Sequence, residues 1–343
     1  MRTAAVPNNT ETLSRPLLRA PTRDGVMLPV IDVTDPRFAV PDDPDSLQSL
    51  FARSSEEERR NRSLPTFFMR FLLRRAAKRS LLVRALFGGG DTSFLDGLST
   101  YVMKLGADHL PPPYDSPMDR RIGASAHLIL LRLRTQQVAH LLADDVAPAL
   151  AQTPDAPLHL VNIAGGPAID SMNALILLRQ RGGDLARRPI VIHVLDRDDA
   201  GPFFGRNALA ALMQDGAPLA GLAVTFDHRP YDWNDPAALA ALLRELDAAG
   251  AIIAASSEGG LFEYGSDDAI VANLQVLRAG NVRAVAGSVT SGDERRRRLV
   301  TASRFKLIPR GLEGFAPLAQ RGGWRIARSE PAQLSDQVLL TPA

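Results

Sequence analysis

The sequence predicts a doubly wound α/β fold with a mostly parallel, seven-stranded sheet, an antiparallel last strand and an N-terminal helical module. From about residue 150 onward, short apolar runs alternate with amphipathic segments of 10–15 residues. The runs are continuously apolar rather than alternating, which is typical of strands covered by helices on both faces. The alternation ends in two strands with no helix between them. Together these observations indicate βαβ units closed by a hairpin.

The segments after residue 150 can be placed individually. Parallel strands are predicted at Leu158–Ala164, Pro189–Leu195, Leu222–Phe226, Ala251–Ala255 and Val282–Val289. Helices are predicted at Ala168–Arg181, Pro202–Gln214, Pro236–Ala249, Asp267–Arg278 and Gly314–Gln320. The final hairpin is predicted to pair residues 322–327 (GGWRIA) with 337–340 (QVLL), so that the last strand enters the sheet antiparallel.

Changes in the sequence pattern divide the chain into three parts. Residues 1–45 form an N-terminal arm with one short strand at Val26–Val33, and residues 151–343 form the α/β domain. Residues 46–150 form a helical lid, a substrate-binding module or a dimerisation module. Its helices are predicted at Ser46–Phe87, Ser93–Leu105 and Pro117–Leu142, the last with a further turn or two to Leu150.

Composition narrows the possible functions. The chain has 343 residues, no cysteine and a formal charge of +2, so disulfides, thiolate metal sites and a Cys nucleophile are excluded. A charge this small gives no overall field to attract nucleic acid. No apolar run reaches the roughly 20 residues needed to span a bilayer. We therefore expect a cytoplasmic protein with no nucleic-acid partner and no stable membrane insertion. We also expect no metal, because no His-x₃-His pattern or acid cluster suggests one.

Candidate ligand-binding residues follow the strands, where open α/β sheets bind their ligands. They are Gly165, Gly166 and Pro167 after the first strand, Asp196 and Arg197 after the second, Asp232 and Trp233 after the third, and Ser256, Ser257 and Glu258 after the fourth. Small residues let a ligand approach the backbone, and an acid can accept two ribose hydroxyls. An acid beside an aromatic ring can hold adenine. The order of these residues predicts a nucleoside pocket.

Each of these signals has a simpler alternative. A Gly-Gly-Pro sequence is often only a turn, and an acid after a strand often caps a helix. The run Asp232–Asp235 could cap the helix that starts at Pro236, with Trp233 filling the core. A ligand site is therefore predicted from the conjunction of the four strand ends.

With these strand ends and the closing hairpin, the chain from about residue 150 to 343 resembles the class I S-adenosylmethionine-dependent methyltransferases. The resemblance implies S-adenosylmethionine as the cofactor, with S-adenosylhomocysteine as its product. It implies that Gly165 and Gly166 lie under the methionine part, that Asp196 binds the ribose, and that Asp232 and Trp233 frame the adenine. Residues 256–258 would then face the sulfonium and the acceptor.

The first motif departs from the family pattern Asp/Glu-x-Gly-x-Gly-x-Gly. Asn162 replaces the acid, Ala164 replaces the first glycine and Ala168 replaces the last, so that only Gly166 keeps its place. Asp170 could compensate by facing the methionine ammonium. It could equally be an acid that complements the dipole of the helix's first turn.

Catalytic candidates come from both halves of the chain. We expect Glu258, His109 and Tyr101 to serve the acceptor, with Tyr114, His140, Glu263 and Tyr264 as further candidates. His159 and His193 lie inside apolar strands and are expected to point into helix packing. The run Arg295–Arg298 is expected to be a solvated helix or a subunit contact.

The resulting hypothesis is methyl transfer to an oxygen or nitrogen of a small molecule. Two alternatives remain: a non-catalytic or repurposed S-adenosylmethionine-binding protein of the same fold, and an NAD-dependent oxidoreductase. The pattern G-x-G-x-x-G is missing, which argues against the oxidoreductase. A nucleic-acid methyltransferase is a weaker alternative because Ser256–Gly259 does not match a base-flipping motif. A homodimer formed through the N-terminal helices is possible.

Overall fold

A computed structural model describes residues 16–62, 75, 79–87, 96–294, 296–297 and 306–343. The first 15 residues of the predicted arm and part of the predicted Ser46–Phe87 helix lie outside these ranges, as do Arg295 and Arg298. Arg296 is 8% exposed, so the expected solvated helix is wrong at this position, whereas Arg297 is exposed. The strands are β1 Arg19–Pro21, β2 Met27–Pro29, β3 Leu158–Ile163, β4 Ile190–Leu195, β5 Val224–Arg229, β6 Ile252–Ser257, β7 Ala284–Thr290, β8 Trp324–Pro331 and β9 Ser335–Pro342.

The main sheet has seven strands in the spatial order β5-β4-β3-β6-β7-β9-β8. Strands β3 to β7 pair in parallel, whereas β9 runs antiparallel to both of its neighbours, β7 and β8. The predicted fold is therefore confirmed, including the reversed last strand. The strand order reverses between β3 and β6, which places the expected ligand site at their carboxyl ends.

Helices cover both faces of this sheet. The described helices are α1 Pro44–Arg62, α2 Leu81–Phe87, α3 Gly97–Lys104, α4 Pro117–Gly123, α5 Ala126–Gln152, α6 Ile169–Gln180, α7 Ala200–Leu212, α8 Ala237–Ala248, α9 Leu261–Tyr264, α10 Asp267–Ala279 and α11 Gly311–Arg321. One core lies between the sheet and α3, α5, α6 and α7. A second core lies between the opposite face and α8, α10 and α11. None of these helices is both long and apolar enough to cross a bilayer.

The N-terminal region differs in detail from the prediction. The single helix predicted at Pro117–Leu142 is two helices, because α4 ends at Gly123 and Ser125 is the N-cap of α5. Helix α5 then continues to Gln152, through Pro148. The predicted strand at Val26–Val33 is present as β2, and it pairs with β1, which the sequence did not suggest.

His159 and His193 do not simply point into helix packing, as the sequence predicted. The two imidazoles share a hydrogen bond of 2.8 Å between Nδ1 of His159 and Nε2 of His193. Nδ1 of His193 is in turn 3.0 Å from Asp227, which also accepts from Arg229. Burial and the neighbouring His193 lower the pKa of His159 to about 4. The folded protein therefore favours neutral imidazoles at this point of the sheet.

This pair should make folding stability sensitive to acid. A neutral pair is fully stabilising above the unfolded pKa of about 6.5, and that stabilisation is lost as the pH falls toward 4 because the unfolded chain binds protons more readily. Urea unfolding of the wild type and of His159→Gln, at pH 7.5 and pH 5, measures the effect. We expect a smaller pH dependence in the variant, and an unchanged dependence would contradict this interpretation.

Candidate functional site

The loop between β3 and α6 keeps an unusual backbone path. Ala164, Gly166 and Ala168 have φ angles of 55°, 58° and 53°, all in the left-handed region. These are the three positions at which the family pattern has glycine. An L-residue in this region costs roughly 1–2 kcal/mol, so the two alanines adopt a conformation that disfavours them. The loop therefore has the left-handed conformation that glycine permits at all three positions, although two of the three residues are alanine.

Two helices pack directly on this loop. A Cβ added at Gly97, the first residue of α3, would lie 2.6 Å from Cα of Gly166. A Cβ at Gly201 of α7 would lie 2.9 Å from the same atom. Such distances are too short for real contacts, so both approaches require glycine. The first turn of α3, from the N-terminal region, is thus in contact with the loop on which Gly165, Gly166 and Pro167 lie.

Asp196 connects the end of β4 to the same loop. Its carboxylate accepts from Gly166 N at 2.9 Å and from Asp198 N at 3.0 Å. Burial raises its pKa. A carboxylate offers about four lone-pair positions, so two remain for a ligand. Arg197 is exposed.

A second carboxylate lies beneath the loop. Asp170, in the first turn of α6, is 1% exposed, and its Oδ1 accepts from Nδ2 of Asn162 at 2.8 Å. Asn162 also donates to Ser256 Oγ at 3.1 Å and accepts from Gly165 N. Oδ2 of Asp170 has no partner at hydrogen-bonding geometry among the described residues, although Ser256, the backbone of Ser171 and the charge of Lys104 act to lower its pKa. Burial and then the charge of Glu258 raise the pKa of Asp170 to about 6.

A buried ionic network closes the other side of the site. Glu258, directly after β6, accepts from Nζ of Lys104 at 2.5 Å and from Nε of Arg134. Nη1 of Arg134 also donates to both carboxylate oxygens of Glu263, at 3.2 and 3.1 Å. Each of these four side chains is 5% exposed or less. The network joins α3 and α5 to the carboxyl end of β6.

The network fixes the charge state of Glu258. Burial alone would raise its pKa, but the charges of Arg134 and Lys104 outweigh burial and lower the pKa to about 2. Both carboxylate oxygens accept hydrogen bonds, and the carboxyl group is ionised at neutral pH. This environment suits an anchor better than a general base, whose pKa should lie near the working pH. Ser257 next to it accepts from Leu261 N at 2.9 Å, at the start of α9.

Tyr101 and His109 have other partners. The Tyr101 hydroxyl donates to Pro29 O at 2.6 Å and accepts from Ile31 N at 2.9 Å. Burial raises its pKa above the usual range, so it remains a neutral phenol that fastens the segment after β2. The ring of His109 lies 5.0 Å from that of Phe38. The ring of Tyr101 also lies 4.6 Å from that of Phe204 in α7, so Tyr101 joins the N-terminal region to the α/β domain.

The loop after β5 caps the following helix, as the simpler alternative predicted, and does not form an open pocket for adenine. Asp232 is exposed, and its Oδ1 accepts from N and Nδ2 of Asn234, at 3.0 and 2.8 Å. The side chain that accepts from the first turn of α8 is Asp235, through Ala237 N at 3.1 Å. Trp233 is partly buried against the second core, and its carbonyl accepts from Asn273 at 2.7 Å. Trp233 therefore packs on the second core, as the core-filling alternative predicted.

Sequence reasoning did not single out Lys104 or Arg134, and it ranked Glu263 low. The available signal was Arg132 within the apolar stretch Leu128–Leu133 of α5 and Arg134 directly after it. Cationic residues on the buried face of a helix require anions opposite them. The carboxylates that Lys104 and Arg134 bind are more than 120 residues away in the chain, which spacing alone does not reveal.

Comparison with known proteins adds little at the sequence level: neither a protein-family model nor a curated protein matches the chain. Among solved structures, the chain is similar to CalO1, a methyltransferase in calicheamicin biosynthesis with SAH bound, at 18% identity and a TM-score of 0.36, covering 74% of this chain and 69% of that one. A possible exported protein from Bordetella parapertussis has 15% identity, coverages of 82% and 99%, and a TM-score of 0.48.

Human N-acetylserotonin methyltransferase in complex with SAM is a third similar structure, with 13% identity, coverages of 63% and 56%, and a TM-score of 0.35. Likenesses at this level concern the fold alone. The fold itself is established by the order and direction of the strands in the sheet.

The left-handed loop can be tested by restoring a glycine. Ala164→Gly should raise the free energy of unfolding by about 0.5–1 kcal/mol, because glycine adopts positive φ without steric cost. The matched control is Ala174→Gly in α6, where a regular helical position should lose about 1 kcal/mol or more. Chemical denaturation measures both. Equal losses in the two variants would show that Ala164 is not left-handed.

The buried network can be tested by removing one charge. Glu258→Gln leaves Lys104 and Arg134 with too little negative charge and should lower the free energy of unfolding by about 3–5 kcal/mol. The exposed Glu313 on α11 provides a control, since Glu313→Gln should change stability by less than about 0.5 kcal/mol. Similar values for the two variants would refute the network.

Proposed function

We propose that this chain binds S-adenosylmethionine at the β3–α6 loop and transfers its methyl group to an oxygen or nitrogen of a small molecule. The observation that carries the proposal is Asp170, a buried carboxylate whose Oδ2 has no partner at hydrogen-bonding geometry among the described residues, beneath a loop with three left-handed residues. An unpaired buried carboxylate is costly, which favours a cationic ligand group at this point. The α-ammonium of a methionine moiety has the required charge.

The hydrogen bond between Asn162 and Asp170 supports this proposal. The family pattern has an acid at position 162, where this chain has Asn, and the amide of Asn162 holds Asp170 at 2.8 Å. The negative charge thus lies in the first turn of α6, eight residues after the strand position at which the family pattern has it. Asp196, with two lone-pair positions remaining, is the residue we expect to accept the ribose hydroxyls.

When bound, S-adenosylmethionine supplies an electrophilic methyl group on a sulfonium, and transfer is an in-line displacement. The chain's own residues then need to orient the two reactants and exclude water. Asp170 and Asp196 would hold the donor, and the Lys104–Glu258–Arg134 network would keep α3 and α5 closed over it. Glu258 acts in this scheme as a positioning residue, held as a carboxylate by its two cations.

Ligand pairs can separate the two donor contacts. S-adenosylhomocysteine carries the amino-acid part, whereas 5′-methylthioadenosine lacks it but keeps the ribose. In calorimetry, Asp170→Asn should weaken the binding of S-adenosylhomocysteine by at least roughly tenfold, because this ligand has an ammonium group. The binding of 5′-methylthioadenosine, which has no ammonium, should be unchanged. Asp196→Ala should weaken both ligands.

The exposed Asp215, after α7, provides the matched control, and Asp215→Asn should bind both ligands like the wild type. If the wild type bound neither ligand at micromolar concentrations, donor binding would be rejected. Binding of NADH instead would favour the oxidoreductase hypothesis.

A second candidate function is donor binding without catalysis. The observation that favours it is the state of the three predicted catalytic residues: Glu258 is held by two cations, and Tyr101 and His109 contact the N-terminal region. A radiolabelled methyl donor, incubated with cell extract and the purified protein, distinguishes the two functions. Transfer of label to small molecules supports the enzyme, whereas donor binding without transfer supports the alternative.

A further inference from the structure

Two buried carboxyl groups beside the β3–α6 loop have different partners. Glu258 forms ion pairs with both Lys104 and Arg134. Asp170, which is 1% exposed, forms no ion pair within the described part of the chain. Its Oδ1 accepts from the neutral amide of Asn162 at 2.8 Å, and its Oδ2 has no partner at hydrogen-bonding geometry there. Two acids in one site therefore have opposite degrees of charge compensation.

The contacts of Asp170 are too weak to keep it ionised at every pH at which the protein is folded. Neutral donors stabilise a buried carboxylate less than a cation in direct contact does. Burial and then the charge of Glu258 raise the pKa of Asp170 to about 6, against smaller opposing contributions from Ser256, the backbone of Ser171 and Lys104. The pKa of Glu258 is held at about 2. Asp170 therefore changes its charge in mild acid, whereas Glu258 does not.

The charged and titratable groups around Asp170 come from four elements. Lys104 is on α3, Arg134 is on α5, Glu258 follows β6 and Asp196 follows β4. Both cations bind Glu258, and Arg134 also binds a second carboxylate. Asp196 accepts from two backbone N–H groups of its own surroundings. None of these groups fixes the protonation state of Asp170 through an ion pair.

We propose that Asp170 makes donor binding depend on pH, so that the site binds S-adenosylmethionine through the carboxylate and loses this contact when the carboxyl group takes up a proton. This regulation rests on the proposed function, because it concerns the ammonium of the methionine part. A protonated carboxyl group has no charge to pair with an ammonium. Conversely, a cation within about 4–6 Å favours the carboxylate, so binding of the ammonium to protonated Asp170 releases that proton to the solvent.

The direction of the pH effect follows from the raised pKa. Affinity is highest well above the pKa of Asp170 and falls as the pH drops below about 6. A single group with this pKa weakens binding about tenfold between pH 7.5 and pH 5. Glu258 stays ionised over the whole interval, so the network that joins α3 and α5 to β6 keeps its charges. The protein would therefore hold the donor at neutral pH and release it in acidified surroundings.

The experiment measures S-adenosylhomocysteine and 5′-methylthioadenosine by calorimetry at pH 7.5 and pH 5, on protein whose circular dichroism is the same at both. Burial also raises the pKa of Asp196, which lies beside His228. These two residues act on the ribose side, which both ligands share, so their titration cancels in the ratio of the two association constants. This ratio should fall about tenfold in the wild type from pH 7.5 to pH 5. It should stay constant in Asp170→Asn, and the exposed control Asp215→Asn should behave like the wild type.

Proton release gives a second readout, and the wild type alone suffices for it. At pH 6, calorimetry in buffers of different ionisation enthalpy should show that S-adenosylhomocysteine binding releases about half a proton, because about half of the Asp170 side chains are protonated beforehand. Binding of 5′-methylthioadenosine should release less. Equal proton release by the two ligands would overturn the inference.

The inference and the proposed function fail in different ways. S-adenosylhomocysteine binding with a ratio that is the same at both pH values would retain the donor and overturn its dependence on Asp170 protonation. No binding at pH 7.5 would overturn both. The ¹³C signal of the Asp170 carboxyl group, identified by its absence in Asp170→Asn, tests the titration without ligand. A midpoint near pH 6 supports the inference, and a midpoint near the ordinary aspartate value of about 3.9 would overturn it.

Discussion

The buried contact of Glu258 with Lys104 and Arg134 is the interaction on which the geometry of the site depends. Burial of these charges is tolerable only while all of them stay paired, so α3 and α5 are fixed relative to β6. Helix α3 has eight residues, about 12 Å in length, with Gly97 at one end on the β3–α6 loop and Lys104 at the other end on Glu258. One short helix therefore connects the two halves of the carboxyl edge, and a shift at either end is transmitted to the other.

The charged groups along this edge form two sets. Asp170 and Asp196 lie near the ends of β3 and β4, and burial raises the pKa of both carboxyl groups. Lys104, Glu258, Arg134 and Glu263 lie beside them at the end of β6 and comprise two cations and two anions. The network therefore neutralises its own charges without help from the two aspartates.

The fold could be predicted from sequence because each strand is a local apolar run, and the hairpin after Gly322 has no helix between its strands. The site could be predicted only as far as residues that directly follow strands, such as Asp196 and Glu258. Lys104 and Arg134 were missed because their importance comes from partners distant in the chain. The alanines at positions 164 and 168 depart from the glycine motif and suggested a different loop conformation. Both nevertheless have the left-handed φ that glycine would adopt there, which the sequence alone does not reveal.

The position of β9 has a consequence for the order in which this protein can assemble. Strand β9, residues 335–342, lies between β7 and β8, so β8 is joined to the sheet only through a strand that is synthesised after it. During synthesis, the edge of β7 stays unpaired until Ser335 and the residues after it have emerged from the ribosome. Exposed strand edges recruit other chains, so the nascent protein passes through an aggregation-prone stage that ends only when this last segment is inserted.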